Sequence, residues 1–146
     1  MRILVDADAC PVKSIIINVA KEYNIPVVMF IDTSHNIKDR YSEVIVVDKQ
    51  RDSVDIALVN RVSPGDVVVT QDFGLAAMVL GKKGTAINQN GMIYSDGNMD
   101  MLLFERYLSQ KIRRAGGRTA GQGKRKKEDD EKFEVSFRKI LKQQTD

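Results

Sequence analysis

The 146-residue chain has one cysteine, one histidine, three prolines and no tryptophan. A lone cysteine, Cys10, excludes an internal disulfide framework and leaves no thiolate cluster for zinc. A lone histidine, His35, excludes the usual histidine-rich catalytic metal sites. Any resident metal would be bound by carboxylates, which favours hard ions such as Mg2+ or Mn2+. No apolar run approaches the ~18–20 residues that span a bilayer. The opening MRILVDADAC places Asp6 where a secretory signal needs an apolar stretch. A cytoplasmic protein without a membrane partner is expected. Ser34 and Thr70 carry hydroxyls, but no G-x-S-x-G elbow accompanies them, which excludes a standard serine hydrolase. Gly81-Lys82-Lys83-Gly84 lacks P-loop spacing, and no G-x-G-x-x-G follows the first apolar run.

What is present reads as a globular chain, with 42% hydrophobic and 29% charged residues. The net charge of +3 hides an asymmetry. Residues 1–110 carry 11 Lys and Arg against 14 Asp and Glu, whereas 111–146 carry 12 against 6. The basic block comprises Lys111, Arg113, Arg114, Arg118, Lys124, Arg125, Lys126 and Lys127, interleaved with Gly116, Gly117, Gly121 and Gly123. Dense positive charge on glycine-rich backbone suits an arm that follows a phosphate backbone. A solvated tail without a partner is the competing explanation. Aromatic residues are missing from 108–132, so any contact there would be electrostatic rather than stacking. Two units are expected: an α/β domain over 1–112, and a basic glycine-rich loop with a C-terminal helix over 113–146.

Apolar periodicity alternates between strand and helix. Ile3, Leu4 and Val5 form a buried-strand run ending at Asp6. Pro11 suits the first turn of a helix in which Val12, Ile15, Ile16, Val19 and Tyr23 recur at helical spacing until Asn24. Val27–Ile31 reads as a second strand ending at Asp32, and Val44–Val47 as a third closed by Asp48. An amphipathic helix is predicted over Asp52–Val62, a fourth strand over Val67–Val69, and a short helix over Phe73–Leu80. Thr85–Asn88 is a candidate fifth strand, with a hairpin through Asn90-Gly91. A helix over Asp100–Ile112 shows an apolar face of Met101, Leu102, Phe104, Leu108 and Ile112. The last helix, Glu128–Leu141, carries a stripe of Phe133, Phe137, Ile140 and Leu141 for packing on the body or on a second copy. The alternation predicts a three-layer α/β domain with a parallel sheet.

Such sheets bind ligands outside the carboxyl ends of their strands, where the strand order reverses. The first strand ends Asp6-Ala7-Asp8 and the fourth ends Thr70-Gln71-Asp72. Asp52 and Asp55, three apart at a predicted helix start, share one helical face. Asp6, Asp8, Asp52, Asp55 and Asp72 are thus candidates to meet at one end of the sheet. Gathered carboxylates repel and raise at least one pKa, which a divalent cation relieves while it activates water and holds a phosphoryl oxygen. Duller roles compete: Asp52 and Asp72 as helix caps, Asp55 as a favourable charge at a helix start, Asp32 and Asp48 as solvated loop residues. Cys10 is read as a small buried thiol rather than a nucleophile, and His35, in Ser34-His35-Asn36, as a loop contact rather than a general base.

The segments ILVDADACPVK (3–13), GDVVVTQDFGLAA (65–77), RRAGGRTAG (113–121) and EDDEKF (128–133) resemble the YaiI/YqxD family over nearly the whole chain. More distantly the pattern is similar to PIN-like (NYN-type) nuclease domains. That resemblance implies a PIN-like parallel sheet with an acidic Mg2+ or Mn2+ site. Asp6 matches the aspartate after the first strand, Asp52 or Asp55 the mid-chain acid, and Asp72 the acid after the fourth strand. Asp8 is additional, and a later acid would be Asp96 or Asp100.

These readings give a metal-dependent nuclease, with RNA favoured over DNA, as the expected function. Asp6, Asp8 and Asp72 are its expected catalytic residues, and Asp6, Asp52, Asp55 and Asp72 its metal ligands. Arg113, Arg114, Arg118, Lys124, Arg125, Lys126 and Lys127 are expected to hold nucleic acid, and a homo-oligomer is compatible with the pattern. Two alternatives stand beside it. One is a nucleic-acid-binding module with a vestigial acidic site. The other is a haloacid-dehalogenase-like phosphatase using Asp6, Asp8 and Thr70, although Cys10 stands where that motif has Thr or Val.

Overall fold

The computed structural model describes residues 1–8, 10–32, 39–48, 53–117 and 123–145. Its elements run β1 (Ile3–Asp6), α1 (Lys13–Tyr23), β2 (Val27–Asp32), β3 (Glu43–Val47), α2 (Val54–Val59), β4 (Val67–Val69), α3 (Phe73–Gly81), β5 (Thr85–Ile87), α4 (Asp96–Arg114) and α5 (Lys127–Thr145). The five strands form one sheet in the order β3-β2-β1-β4-β5, and every pairing is parallel. The chain builds outward from β1 to β3, then crosses back to place β4 on the other side of β1. The order therefore reverses between β1 and β4.

Alternation along β1 sorts its side chains between two cores. Ile3 and Val5 pack with Ile16 and Val19 of α1 and with Phe133, Phe137 and Leu141 of α5. Leu4 points the other way, into a cluster with Leu58 of α2, Leu75, Ala76 and Val79 of α3, and Met99 of α4. Helices cover both faces, giving the expected three-layer α/β architecture. Asn24 closes α1 in the left-handed region (φ 55°), a conformation its short polar side chain tolerates. Val12 sits at the N-cap of α1, so Pro11 lies in the turn before the helix rather than in its first turn.

The terminal helix is longer than its apolar stripe predicts, and the stripe packs on the body. Phe133 and Phe137 stack at 5.2 Å between ring centroids. Arg138 clamps Glu22 of α1 with two hydrogen bonds, at 2.6 and 3.1 Å. The predicted hairpin after β5 shrinks to a turn with one antiparallel bridge, Ile87 to Ile93. Gly91 is required there: its φ is +87°, and a Cβ would lie 2.6 Å from the Lys132 carbonyl oxygen of α5.

Two helices depart further from expectation. α2 spans only Val54–Val59, and its N-cap is Ser53, whose hydroxyl accepts the Ile56 N–H. Asp52 is therefore not the cap of this helix, and it lies outside the described residues, as do His35, Ser34 and Arg118. α4 begins four residues early because Ser95 and Asn98 form a reciprocal capping box. It ends late, so Arg113 and Arg114 form its last turn rather than the loop. Its expected apolar face is also not buried: Met101, Phe104, Leu108 and Ile112 are exposed, and Met99 is the buried anchor.

Candidate active site

β1 and β4 are adjacent, paired in register from Ile3 with Val67 to Val5 with Val69. Their carboxyl ends therefore deliver Asp6 and the Thr70-Gln71-Asp72 segment side by side at the point where strand order reverses. A cavity of about 540 Å3 opens there, lined by Asp6, Asp8, Gln71, Asp72, Phe73 and Arg106. Three acids predicted to converge do share this cavity.

Thr70 organises the floor. Its hydroxyl donates to Asp6 Oδ2 at 3.0 Å and accepts the Asp72 N–H at 3.0 Å. Its carbonyl oxygen accepts from the Tyr94 hydroxyl at 3.2 Å. Thr70 is buried. Its hydroxyl is committed inside the protein, not presented to a ligand. Asp72 caps α3 by accepting the Leu75 N–H at 3.2 Å, so the cap and cavity roles fall on one residue. Asp8 accepts the Asp32 N–H at 3.2 Å, which ties the segment after β1 to the end of β2.

The electrostatics follow from burial. Burial pushes the Asp6 carboxyl up from 3.8 to about 6; the Thr70 hydrogen bond opposes this, and the charges of Asp72, Asp8 and Asp55 add to it. Burial and the nearby Asp72 charge likewise push the Tyr94 hydroxyl up. Burial raises the Cys10 thiol, the environment of an inert small hydrophobe rather than a thiolate nucleophile.

Other expected site residues are placed differently. Asp55 sits in the first turn of α2, near enough to raise Asp6 but not lining the cavity. α2 starts at Val54, and Asp52, expected to share a helical face with Asp55, lies outside the described residues. Among the described residues, no three His, Cys, Asp or Glu side chains are gathered closely enough to hold one metal ion. Asp96 lies in the first turn of α4 beside Met99 and Leu103, at a different cavity.

The described basic residues are divided between elements, with Arg113 and Arg114 ending α4 and Arg125 leading into α5. Arg125 is pinned: it donates to Asp130 Oδ1 at 2.7 Å, Asn90 Oδ1 at 2.8 Å and the Gln89 carbonyl at 2.8 Å. It staples the start of α5 to the turn after β5. Lys124, Lys126 and Lys127 are exposed beside it. The cation at the acidic cavity is instead Arg106, which the sequence reading passed over. Its signal was available, since Met99, Leu102 and Arg106 recur at i, i+3 and i+7 along one side of α4.

A family model described as "Uncharacterized BCR, YaiI/YqxD family" matches residues 4–143. A UPF0178 protein of Ruminiclostridium cellulolyticum is 63% identical over 146 residues, covering 100% of this chain and 95% of the relative. One from Clostridium kluyveri is 55% identical over 141 residues, covering 97% and 93%. One from Exiguobacterium sibiricum is 46% identical over the full length of both chains. No solved structure matches the chain. Among the described residues, no helix is long and apolar enough to cross a membrane.

Proposed function

The chain belongs to the YaiI/YqxD family, and from its acidic cavity we propose that it is a divalent-metal-dependent nuclease acting on single-stranded RNA. The observation that carries this reading is the cavity at the β1–β4 switch point, where Asp6, Asp8 and Asp72 face Arg106. The PIN-like resemblance of the sequence and the parallel sheet support the same reading.

The donors fit a hard, hydrated cation rather than a closed protein cage. All are carboxylate oxygens, and Mg2+ commonly keeps several waters while held by one or two carboxylates. Asp6 and Asp72 are the two that would hold it. When bound, the ion would offset their charge and polarise a phosphoryl oxygen. The protein's own groups do the rest. Arg106 offers a guanidinium to a non-bridging phosphate oxygen. Asp8, in the same cavity and outside that pair, is the carboxylate suited to position the attacking water and take its proton. Phe73 supplies an apolar wall against which a base or sugar can rest. Thr70 fixes the spacing of Asp6 and Asp72 by bonding both.

A binding module without catalysis is the second reading, favoured by the lack of a three-ligand cluster among the described residues. The haloacid-dehalogenase alternative loses support, because the Thr70 hydroxyl it needs for phosphate is already engaged.

The test is cleavage of a short labelled single-stranded RNA with Mn2+ or Mg2+, with chelator as control. Asp6→Asn and Asp72→Asn should each lower the rate by on the order of 100-fold or more. Asn remains a good helix cap, so Asp72→Asn keeps α3. Cleavage that survives chelation or Asp6→Asn refutes the nuclease. Salt-sensitive binding without cleavage establishes the second reading instead.

A further inference from the structure

α4 has two apolar sides. Met99, Leu102 and Arg106 face the body. At 100° per residue, Met101, Phe104, Leu108 and Ile112 cluster within about 80° on the roughly opposite side. They are 59%, 59%, 41% and 45% exposed. From Leu103 to Arg114 every residue but Ser109 is exposed. Leu103 and Arg106 still line cavities of the body, so the helix clears it over Tyr107–Arg114, about 12 Å at 1.5 Å per residue. A projecting segment this short is marginal as an isolated helix, and helices of this kind owe their stability to a packed face.

We propose that this face pairs with the same face of a second copy, as an antiparallel two-helix seam on a twofold axis near Arg106 and Tyr107. The spacing 101, 104, 108, 112 (intervals of 3, 4 and 4) is that of an 11-residue repeat, which keeps one apolar stripe along a nearly straight helix. In the antiparallel register Phe104 meets the partner's Leu108, Leu108 meets the partner's Phe104, and Met101 meets the partner's Ile112. Charge supports this direction. Asp96, Asp100 and Glu105 lie in the first half of α4, while Lys111, Arg113 and Arg114 form its last turn. Antiparallel pairing sets Asp100 beside the partner's Arg114, whereas parallel pairing stacks like charges. It also opposes the two helix dipoles.

The area fits a weak dimer. With full side chains near 150–250 Å2 for aromatics and somewhat less for aliphatics, the four seam residues expose roughly 400 Å2 per copy. The pair would bury about 800 Å2 from these side chains, the size of a weak, transient interface. The sequence that follows α4 offers this face no apolar cover. Residues 118–122 read RTAGQ, without a large apolar side chain. Pairing would also hold α4 between two bodies and so fix Arg106 over the acidic cavity. The dimer itself does not depend on the chemistry of that cavity.

Sedimentation equilibrium on the full chain tests it. Wild type should approach twice 16.4 kDa with rising concentration, with a Kd in the micromolar range expected for a small interface. Phe104→Glu/Leu108→Glu should be monomeric and still unfold cooperatively, since both side chains are exposed in the single chain. Asp100→Lys should weaken the dimer several-fold, and adding Arg114→Asp should restore it. Wild type monomeric near ~1 mM overturns the proposal. So does a dimer indifferent to the Phe104/Leu108 change, which places the interface elsewhere. Failure of the charge exchange to restore affinity overturns the antiparallel arrangement.

Discussion

Replacing Asp6 with asparagine should make the protein more stable near neutrality, at the expense of its proposed chemistry. The carboxyl ionises near 6 in the folded chain against 3.8 ordinarily. Between those values the folded state holds a proton that the unfolded state has released. Stability therefore falls as pH rises from about 4 through 6, and the full penalty stands above 6. At about 1.4 kcal/mol per pH unit the displacement corresponds to about 3 kcal/mol. Asp6 is only half-buried, and solvent screening reduces this to roughly 1–2 kcal/mol. Asparagine keeps the shape and an acceptor for the Thr70 hydroxyl but never ionises. Asp6→Asn should raise Tm by roughly 3–8 °C at pH 8, on the scaling for domains near this size. At pH 4 the gain should shrink toward zero, because Asp6 is then protonated in the folded wild type. Thermal unfolding from pH 4 to 8, followed by circular dichroism, measures the difference. A Tm difference that does not change across this range would refute the argument that burial of an ionised Asp6 is the source. Manganese at pH 8 should narrow the gap by stabilising wild type alone.

Thr70→Val removes the donor that steadies the Asp6 carboxylate and the acceptor of the Asp72 N–H. Asp6 should then titrate above 6, read from its side-chain carboxyl carbon by NMR, with a loss of about 1–3 kcal/mol in urea unfolding; an unchanged titration would show that the hydrogen bond does not set it. Phe137→Ala opens a cavity between α5 and α1 and ends the stacking with Phe133. It should cost about 3–5 kcal/mol by urea unfolding, whereas a cost under about 1 kcal/mol would mean that α5 contributes little to the core.

Much of the fold follows from local pattern. The apolar runs Ile3–Val5, Val27–Ile31 and Val67–Val69, alternating with helical patterns, read as buried strands of a parallel sheet, and the structure places them at its centre. Helix boundaries were less legible because caps decide them. Ser53 rather than Asp52 opens α2, and Ser95 with Asn98 opens α4. Neighbouring residues with capping side chains compete for that role, and apolar periodicity does not choose between them.

The sequence by itself determined that acids stand at the ends of predicted strands, and it made Asp6, Asp8 and Asp72 candidates to meet at one end of the sheet. Alternating strand and helix predicts a parallel sheet, but several strand orders satisfy it, so the adjacency of β1 and β4 and the reversal point belong to the tertiary structure. Only the tertiary structure decided which cation faces those acids and which hydroxyl ties them together. Arg106 lies 100 residues from Asp6, and nothing local relates the two. α4 is apolar on two sides, so periodicity alone does not say which side docks. The body buries the side carrying Met99 and Leu102, which turns Arg106 toward the cavity and leaves Phe104 and Leu108 facing outward.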